Sequence, residues 1–553
     1  MRFLPPPLSA SLPALLISLL SALSSTVAAA AIAPTTPNPG LRYYYPVPAA
    51  ENPQTIRVDV CVYGGTPAGV GAAVQARRMG RTSALAVFRR HVGGMTAAGL
   101  TAVDLGRKES IGGMAAEFLD RMGKWSGFRA GDAEQTFREM LEEAGVPVYF
   151  EHRLARVERD GTRIRALVFE NGNRIEAGMF VDATYEGDLF ARAGVSYTVG
   201  REANEEFGER TNGYFVADKH QFRFPVDPYR TPGDPTSGLL RGIDPNPPRP
   251  RGSGDRWVQA YNFRMWLASA VEGRPFPKPN GYDRNEYELL LRYITSAPPG
   301  FEWDWRYRHG PVKLNLGDCN SAGPVSTDYI GASYGWPEGD YAEREKIFQA
   351  HVTYQQGMMW FLAHDPEVPE HMRTHVQTFG LPRDQFEETD GWPHELYVRE
   401  GRRMRSNYVM TEHHCVGHEV AEDSIGLASY TMDSHHTSRV VVNGVVMAEG
   451  NVEEHTPQPY PVSYRAIVPK AEECTNLLVP VCLSSTHIAY GSIRMEPVFL
   501  LLGQSAATAA SLALEANVPV QQVDYQKLRA RLLADKQILE WKPAPAPSDG
   551  GAK

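Results

Sequence analysis

Residues 60–73 read VCVYGGTPAGVGAA, and the reading of this stretch decides the fold. It closes IRVDVCVY, residues 56–63, a β-branched apolar run that suits a buried parallel strand. Ala68 to Gly80 has helical character, with Pro67 tolerated in the first turn. Strand, glycine turn and helix in this order set backbone N–H groups and the positive end of a helix against a diphosphate. Gly64 serves the bend, Gly69 the close contact of helix and strand, and Thr66 stands where a second glycine is usual. Threonine fits such a turn if its Cβ points away from the phosphates, and its hydroxyl then has a hydrogen bond to offer them. Gly65, Pro67 and Ala68 complete the candidate cradle. A second strand, Ser83 to Phe88, finishes a βαβ opening.

A carboxylate normally ends that second strand and holds the adenosine ribose. Here the strand ends in Phe88-Arg89-Arg90, and no Asp or Glu occurs from Val60 to Val103. A missing acid and two arginines suit a 2′-phosphate, which leaves NADP open beside other dinucleotides. The next segment, HVGGMTAAGL, carries Gly93, Gly94, Met95, Thr96 and Gly99, so its backbone can run close against something flat or phosphorylated. His91, just ahead of the glycines, is a candidate covalent anchor.

Several longer stretches carry a resemblance. YGGTPAGV, FVDATYEGDLFARAGVSYTVGRE (180–202), STDYIGASYGWPEGDYAERE (326–345), YVREGRRMRSNYVMTEHHC (397–415) and residues 461–510 resemble FAD-dependent oxidoreductases with a glutathione-reductase-like FAD-binding fold. The likeness is to a secreted or envelope branch, some relatives of which carry the label xanthan lyase. It implies an α/β chain: a Rossmann-type FAD-binding domain, with a parallel sheet and a three-stranded β-meander, and an inserted α+β substrate domain. It implies FAD as cofactor, with Ala183, Thr184 and Asp188 near the dinucleotide. Arg89, Arg90 or a main-chain group then replaces the missing ribose carboxylate.

Domain boundaries follow. Residues 1–31 read as a signal peptide, with Arg2, the apolar run LPALLISLL and the small residues STVAAAAIA. Residues 32–54 form a flexible lead-in, 55–200 the first part of the FAD domain, 201–460 the substrate region, 461–541 the returning part of the FAD domain, and 542–553 a disordered tail. Hairpin signals at Asp160-Gly161 and Asn171-Gly172 mark the meander. Asp340 to His364 is the clearest long helix, with Glu343 three residues after its cap and Pro366 past its end. No segment after the signal is read as long and apolar enough to span a bilayer, so no stable membrane insertion is expected, and the protein is expected to be secreted or periplasmic. The net charge of −9 disfavours nucleic acid as a partner. Five cysteines allow at most two bridges, so disulfides are not the main source of stability.

In a flavoprotein of this build the last helix, here starting at Glu496-Pro497, points its N-terminus at the flavin pyrimidine, where a helix end or an arginine stabilises charge. Arg494 is the candidate for that charge, with an ion pair to Glu496 as the competing reading. Only one dinucleotide turn is present, so electrons are expected from a small-molecule substrate, with oxygen, a quinone or a protein as acceptor. Histidines cluster at 413, 414, 418, 435 and 436. His435 is the favoured base, with Asp433 or Glu412 as its orienting carboxylate and His413 as second choice. No metal is expected: His414 and His418 have H-x-x-x-H spacing, but Cys415 stands where a zinc protease needs Glu. FEWDWRYRHG, residues 301–310, alternates Phe301, Trp303, Trp305 and Tyr307; such a face is core, or a platform for a carbohydrate ring. The sequence thus reads as an exported FAD enzyme oxidising a small polar substrate, carbohydrate or polyol. An NADP-dependent dehydrogenase and a non-catalytic flavin- or ligand-binding envelope protein stay open.

Overall fold

The strand expected at 56–63 runs from Thr55 to Tyr63 (β1), and its second half, Val60, Cys61 and Val62, is wholly buried. The computed structural model describes residues 41–303, 313–321 and 323–542, so the signal peptide and nearly all of the tail lie outside the described residues. Helix α1, Pro67–Arg78, follows at once, and strand β2, Ser83–Ala86, lies parallel to β1. Strand β3, Val148–Tyr149, continues the sheet parallel to β2.

On the other side of β1 the chain returns as three antiparallel strands: β4, Leu154–Asp160, β5, Arg163–Phe169, and β6, Arg174–Asp182. Their turns carry Gly161 at φ 57° and Gly172 at φ 88°, the left-handed backbone that Asp-Gly and Asn-Gly hairpins require. Strand β6 is the hinge of the architecture. It pairs parallel with β1 along its length and antiparallel with β5 at its start. At its end it pairs parallel with the two-residue strand β7, Leu477–Leu478, contributed from the far end of the chain. The result is a mixed α/β protein whose central sheet contains parallel strands from both ends of the sequence.

Helix α2, Tyr341–His364, is capped by Asp340, whose carboxylate accepts the Glu343 N–H at 2.8 Å, and it stops at Asp365 ahead of Pro366. Helix α3, Glu496–Ala516, corrects the expectation that no later segment is apolar enough to span: by length and composition it is, with a mean hydropathy of 1.5. It lies instead in the core, with 89% of the window buried. Small residues let it approach α1: a Cβ at Gly503 would stand 2.0 Å from the Ala68 carbonyl, and one at Gly71 2.7 Å from that of Leu500. Each of Phe499, Leu500, Leu501 and Leu502, all buried here, contributes about 1.5–3 kcal/mol by leaving water. This contact fixes the start of α3 beside the glycine turn.

The lead-in is docked from Leu41 onward rather than flexible. The N–H groups of Tyr43 and Tyr44 donate to the Glu345 carboxylate at 2.7 and 2.8 Å, and the Leu41 carbonyl accepts from Gln349 at 2.6 Å. Leu41 and Tyr43 are buried; the Pro- and Thr-rich composition of the segment hides these anchors.

Candidate functional site

The glycine turn is shaped by contacts a side chain would forbid. Gly64 has φ +116°, and a Cβ there would lie 2.5 Å from the Ala183 carbonyl carbon; a Cβ at Gly69 would lie 1.8 Å from the Gly64 oxygen. Thr66 caps α1. Its hydroxyl accepts the Gly69 N–H at 3.3 Å and donates to the Ala183 carbonyl at 2.7 Å, so its proton is spent on the residue just past β6 and not, as expected, kept for a phosphate. These two hydrogen bonds hold the threonine side chain at a position that usually needs glycine. Gly64, Gly65, Thr66, Arg89, Gly94, Thr184 and Asp188 all wall one groove along the N-terminus of α1, with Tyr43 from the docked lead-in as a further wall.

The two arginines after β2 part company. Arg89 lines the groove, lies against the Tyr43 ring and donates to the His394 carbonyl at 2.5 Å. Arg90 pairs with Glu151 at 3.1 Å with its side chain 66% exposed, and it does not line the groove. Asp188 is buried between Arg344, at 2.7 Å, and Arg402, at 2.9 Å. Burial pushes its carboxyl up, but the two guanidiniums outweigh this and hold it below the usual carboxylate range. Thr184 donates to Asp182 at 2.7 Å and accepts the Gly187 N–H at 2.9 Å, which locks the turn after β6.

The segment after the groove runs toward a second cavity. Gly93 and Gly94 adopt φ 99° and 50°, Met95 N–H donates to the Tyr185 hydroxyl at 3.0 Å, and Gly99 lies so close to Arg264 that a Cβ would stand 2.0 Å from its carbonyl oxygen. His91 Nδ1 faces Glu134 at 3.0 Å and its Nε2 faces Glu388 at 3.1 Å. At the start of α3, buried Glu496 accepts the Tyr185 hydroxyl at 2.7 Å. Burial pushes its carboxyl up to about 8, with the Glu395 charge adding to the effect. A folded value above the unfolded value of about 4.3 stabilises the fold fully below that pH and less and less as the pH rises through about 8. Glu496→Gln copies the protonated carboxyl. It is expected to leave the melting temperature near that of the parent at pH 5 and to raise it by about 2–4 °C or more at pH 9, read by calorimetry; an equal shift at both pH values is the contrary result.

The second cavity has a volume of about 400 Å³, and here the sequence candidates meet. His435 Nδ1 lies 2.6 Å from Asp328 Oδ2, and Nε2 lies 3.6 Å from Asp433 Oδ2. Arg494 donates to the Asp433 carbonyl at 3.1 Å and its carboxylate at 3.2 Å, and to the Tyr397 hydroxyl at 3.2 Å. Its ion pair is therefore with Asp433 and not with Glu496. Against the upward push of burial, Arg399 and His435 hold Asp328 well below the usual carboxylate range, and His435 and Arg494 do the same for Asp433. Arg264 pairs with Asp318 at 2.9 Å, so the wall consists of matched charges around a polar space. The Nε atoms of Arg264, Arg399 and Arg494 are buried without a partner.

Other candidates fall elsewhere. Glu412 and His413 do not line this cavity. Glu412 is neutralised by Arg210 at 3.1 Å, and His413 bonds the Phe207 carbonyl at 3.0 Å. They sit in a four-residue helix, Glu412–Cys415, whose Thr411 cap binds His414 Nδ1, while His414 Nε2 faces the Tyr408 hydroxyl. Phe301 and Trp303 pack edge-on against Phe224 with Trp303 buried, which is core rather than a sugar platform; Trp305 and Tyr307 lie outside the described residues. Sequence reasoning missed Asp328, the carboxylate nearest His435. The only signal for it is its place in STDYIGASYGWP, with nothing local to mark a site.

The model of a protein family described as FAD dependent oxidoreductase matches residues 59–532. No curated protein matches the chain. Among solved structures, Thermovibrio ammonificans THI4 is 22% identical over 26% of this chain and 64% of its own, with a TM-score of 0.22. The chain thus spans less than two thirds of that structure's length. A flavin-containing monooxygenase from Stenotrophomonas maltophilia is 21% identical over 28% of this chain and 44% of its own, with a TM-score of 0.19. An L-proline dehydrogenase from P. horikoshii is 21% identical over 28% of this chain and 26% of its own, with a TM-score of 0.18.

Proposed function

Because the chain belongs to the FAD dependent oxidoreductase family, we propose that it oxidises a small, hydroxyl-rich substrate, carbohydrate or polyol, in the cavity around His435. The protein is an enzyme and FAD is its cofactor. Two features fit that group. Gly64 and Gly69 shape a tight turn that a Cβ at either position would force apart against the Ala183 or Gly64 backbone, and Arg494 offers a buried guanidinium with an unpartnered nitrogen at the cavity wall. The turn, Arg89 and Gly94 would hold the diphosphate side, and Arg494 the pyrimidine end. When bound, FAD supplies the two-electron acceptor that takes hydride from a substrate C–H bond.

What the chain's own residues do follows from the His435 contacts, which carry this reading. Asp328 accepts the Nδ1–H hydrogen bond across 2.6 Å, which leaves Nε2 as the basic nitrogen. Nε2 faces the cavity beside Asp433 and removes the hydroxyl proton of the substrate as its C–H bond breaks. Asp433, tied to Arg494, then stabilises the imidazolium. Matched charges along the wall, with Asn320 and Asn451, suit many hydroxyls rather than one net charge. The N-terminal apolar run followed by alanines supports export of the enzyme, with oxygen, a quinone or a protein as acceptor. The test is anaerobic mixing of the yellow protein with sugars, polyols, alcohols and amines. Bleaching by a hydroxyl-rich member is the expected result; bleaching by none of them, or by a reduced nicotinamide alone, overturns the proposal.

A further inference from the structure

Beside the glycine turn, away from the cavity around His435, three potential ligands converge from separate segments: His91 after β2, which also lines the groove at that turn, and Glu388 and His394 in the loops after α2. Their donor atoms lie within 4.8 Å of one another. From this geometry we propose a zinc site formed by His91 Nε2, Glu388 and His394, with Glu134 as the group that orients His91.

Four observations carry it. His394 is buried, 7% exposed, yet neither of its ring nitrogens has a hydrogen-bond partner. A buried imidazole with both nitrogens idle is costly, and a metal ion removes that cost. His91 Nε2 and Glu388 Oε1 are 3.1 Å apart, close to the edge of about 3.3 Å of a tetrahedron built on bonds of about 2.0–2.1 Å. His394 Nδ1 is 4.0 Å from the same oxygen, so a shift of under about an ångström brings it to ligand spacing. Glu134 accepts from His91 Nδ1 at 3.0 Å, and this is the carboxylate–histidine relay that fixes the tautomer of a metal-binding imidazole and leaves Nε2 free to bind.

The imidazole rings are stacked, with centroids 3.7 Å apart and planes 18° off parallel. Binding one ion has to fan them open by rotation of the side chains. Glu388 is 54% exposed and can follow, and the site opens on a cavity of about 420 Å³ that gives an ion a path in and leaves a fourth position for water or an anion. Arg42, Arg89 and Arg90 line that cavity and favour an anion as the fourth ligand. Two imidazoles and one carboxylate make a donor set that zinc accepts, and one that Fe(II) and other imidazole-binding divalent ions also accept. The ion would tie the loop after β2 to the loop at Glu388, stiffening one wall of the groove at the dinucleotide turn.

The test uses untagged, FAD-loaded protein stripped with a chelator, desalted and titrated with Zn²⁺ by calorimetry, with Co²⁺ absorption as a probe of geometry. One Zn²⁺ per chain with a Kd of about 1 µM or tighter is expected. Glu134→Gln is expected to weaken binding by about 10- to 100-fold, Glu388→Ala by at least as much, and His394→Ala to abolish it. Absence of stoichiometric binding by the parent protein overturns the site, as does unchanged affinity in Glu388→Ala. The latter change is on an exposed side chain, so it arbitrates if His394→Ala does not fold.

Discussion

Replacing His435 with alanine is expected to lower kcat by about 10²- to 10⁴-fold while the purified protein keeps its yellow colour. The side chain lies on a cavity wall, 19% exposed, so its removal leaves room for water rather than a void. Asp328 does not become an orphan charge, because Arg399 remains 3.0 Å from its carboxylate. Stability is therefore expected to change little. Asp328→Asn is the instructive contrast. It replaces the charged acceptor that sets the His435 tautomer with a neutral amide, which has one oxygen for His435 and Arg399 to share, and it also strips buried Arg399 of its counter-charge, a loss of the kind that costs about 3–5 kcal/mol. The rate should fall in both variants, but only Asp328→Asn should show a large drop in melting temperature. Bleaching of His435→Ala at the parent rate by a true substrate would show that the base lies elsewhere.

This contrast also shows what could be read from the sequence. The pairing of His435 with Asp433 was legible because a titratable side chain beside Asp433 in MDSHH is a local pattern. The closest partner of His435 was not, because Asp328 is separated from it by 107 positions and sits in a loop with no periodicity. The same limit explains the misplacement of Glu412 and His413: adjacency in TEHHC looks like a catalytic pair, but a single helical turn aims Glu412 at Arg210 and His413 at Phe207, on other segments. In the fold, β1, α1, β2 and the two hairpins were legible because turn chemistry and burial act over a few residues. β7 was not, since two residues closing a sheet through β6, about three hundred positions away, leave no local signature. Arg494 was legible as a buried cation at the site, while its partner depended on where the Met432–Ser434 strand came to rest.

Gly69→Ala is expected to abolish FAD retention, with the purified protein colourless after desalting and its melting temperature lowered. The added Cβ would stand 1.8 Å from the Gly64 carbonyl oxygen and 3.4 Å from the Ala183 side chain. The first contact is to backbone, which has no rotamer to escape into, so either the turn opens or α1 slides along β1. Both movements break the Thr66 cap, whose hydroxyl joins the Gly69 N–H to the Ala183 carbonyl. Overpacking of this kind costs about 1–3 kcal/mol or more. A slide of α1 is resisted by α3, which is seated against Ala68 and Gly71, so the strain concentrates in the turn and reaches the cradle where the diphosphate binds. Gly131→Ala separates this effect from a general cost of losing glycine. Gly131 lies inside the helix Ala130–Glu143, and a Cβ there meets nothing within 4 Å, so that variant should keep its flavin and gain about 0.4–1 kcal/mol. Flavin retained at parent stoichiometry in Gly69→Ala would mean that the close approach of α1 to β1 is not what shapes the cofactor site.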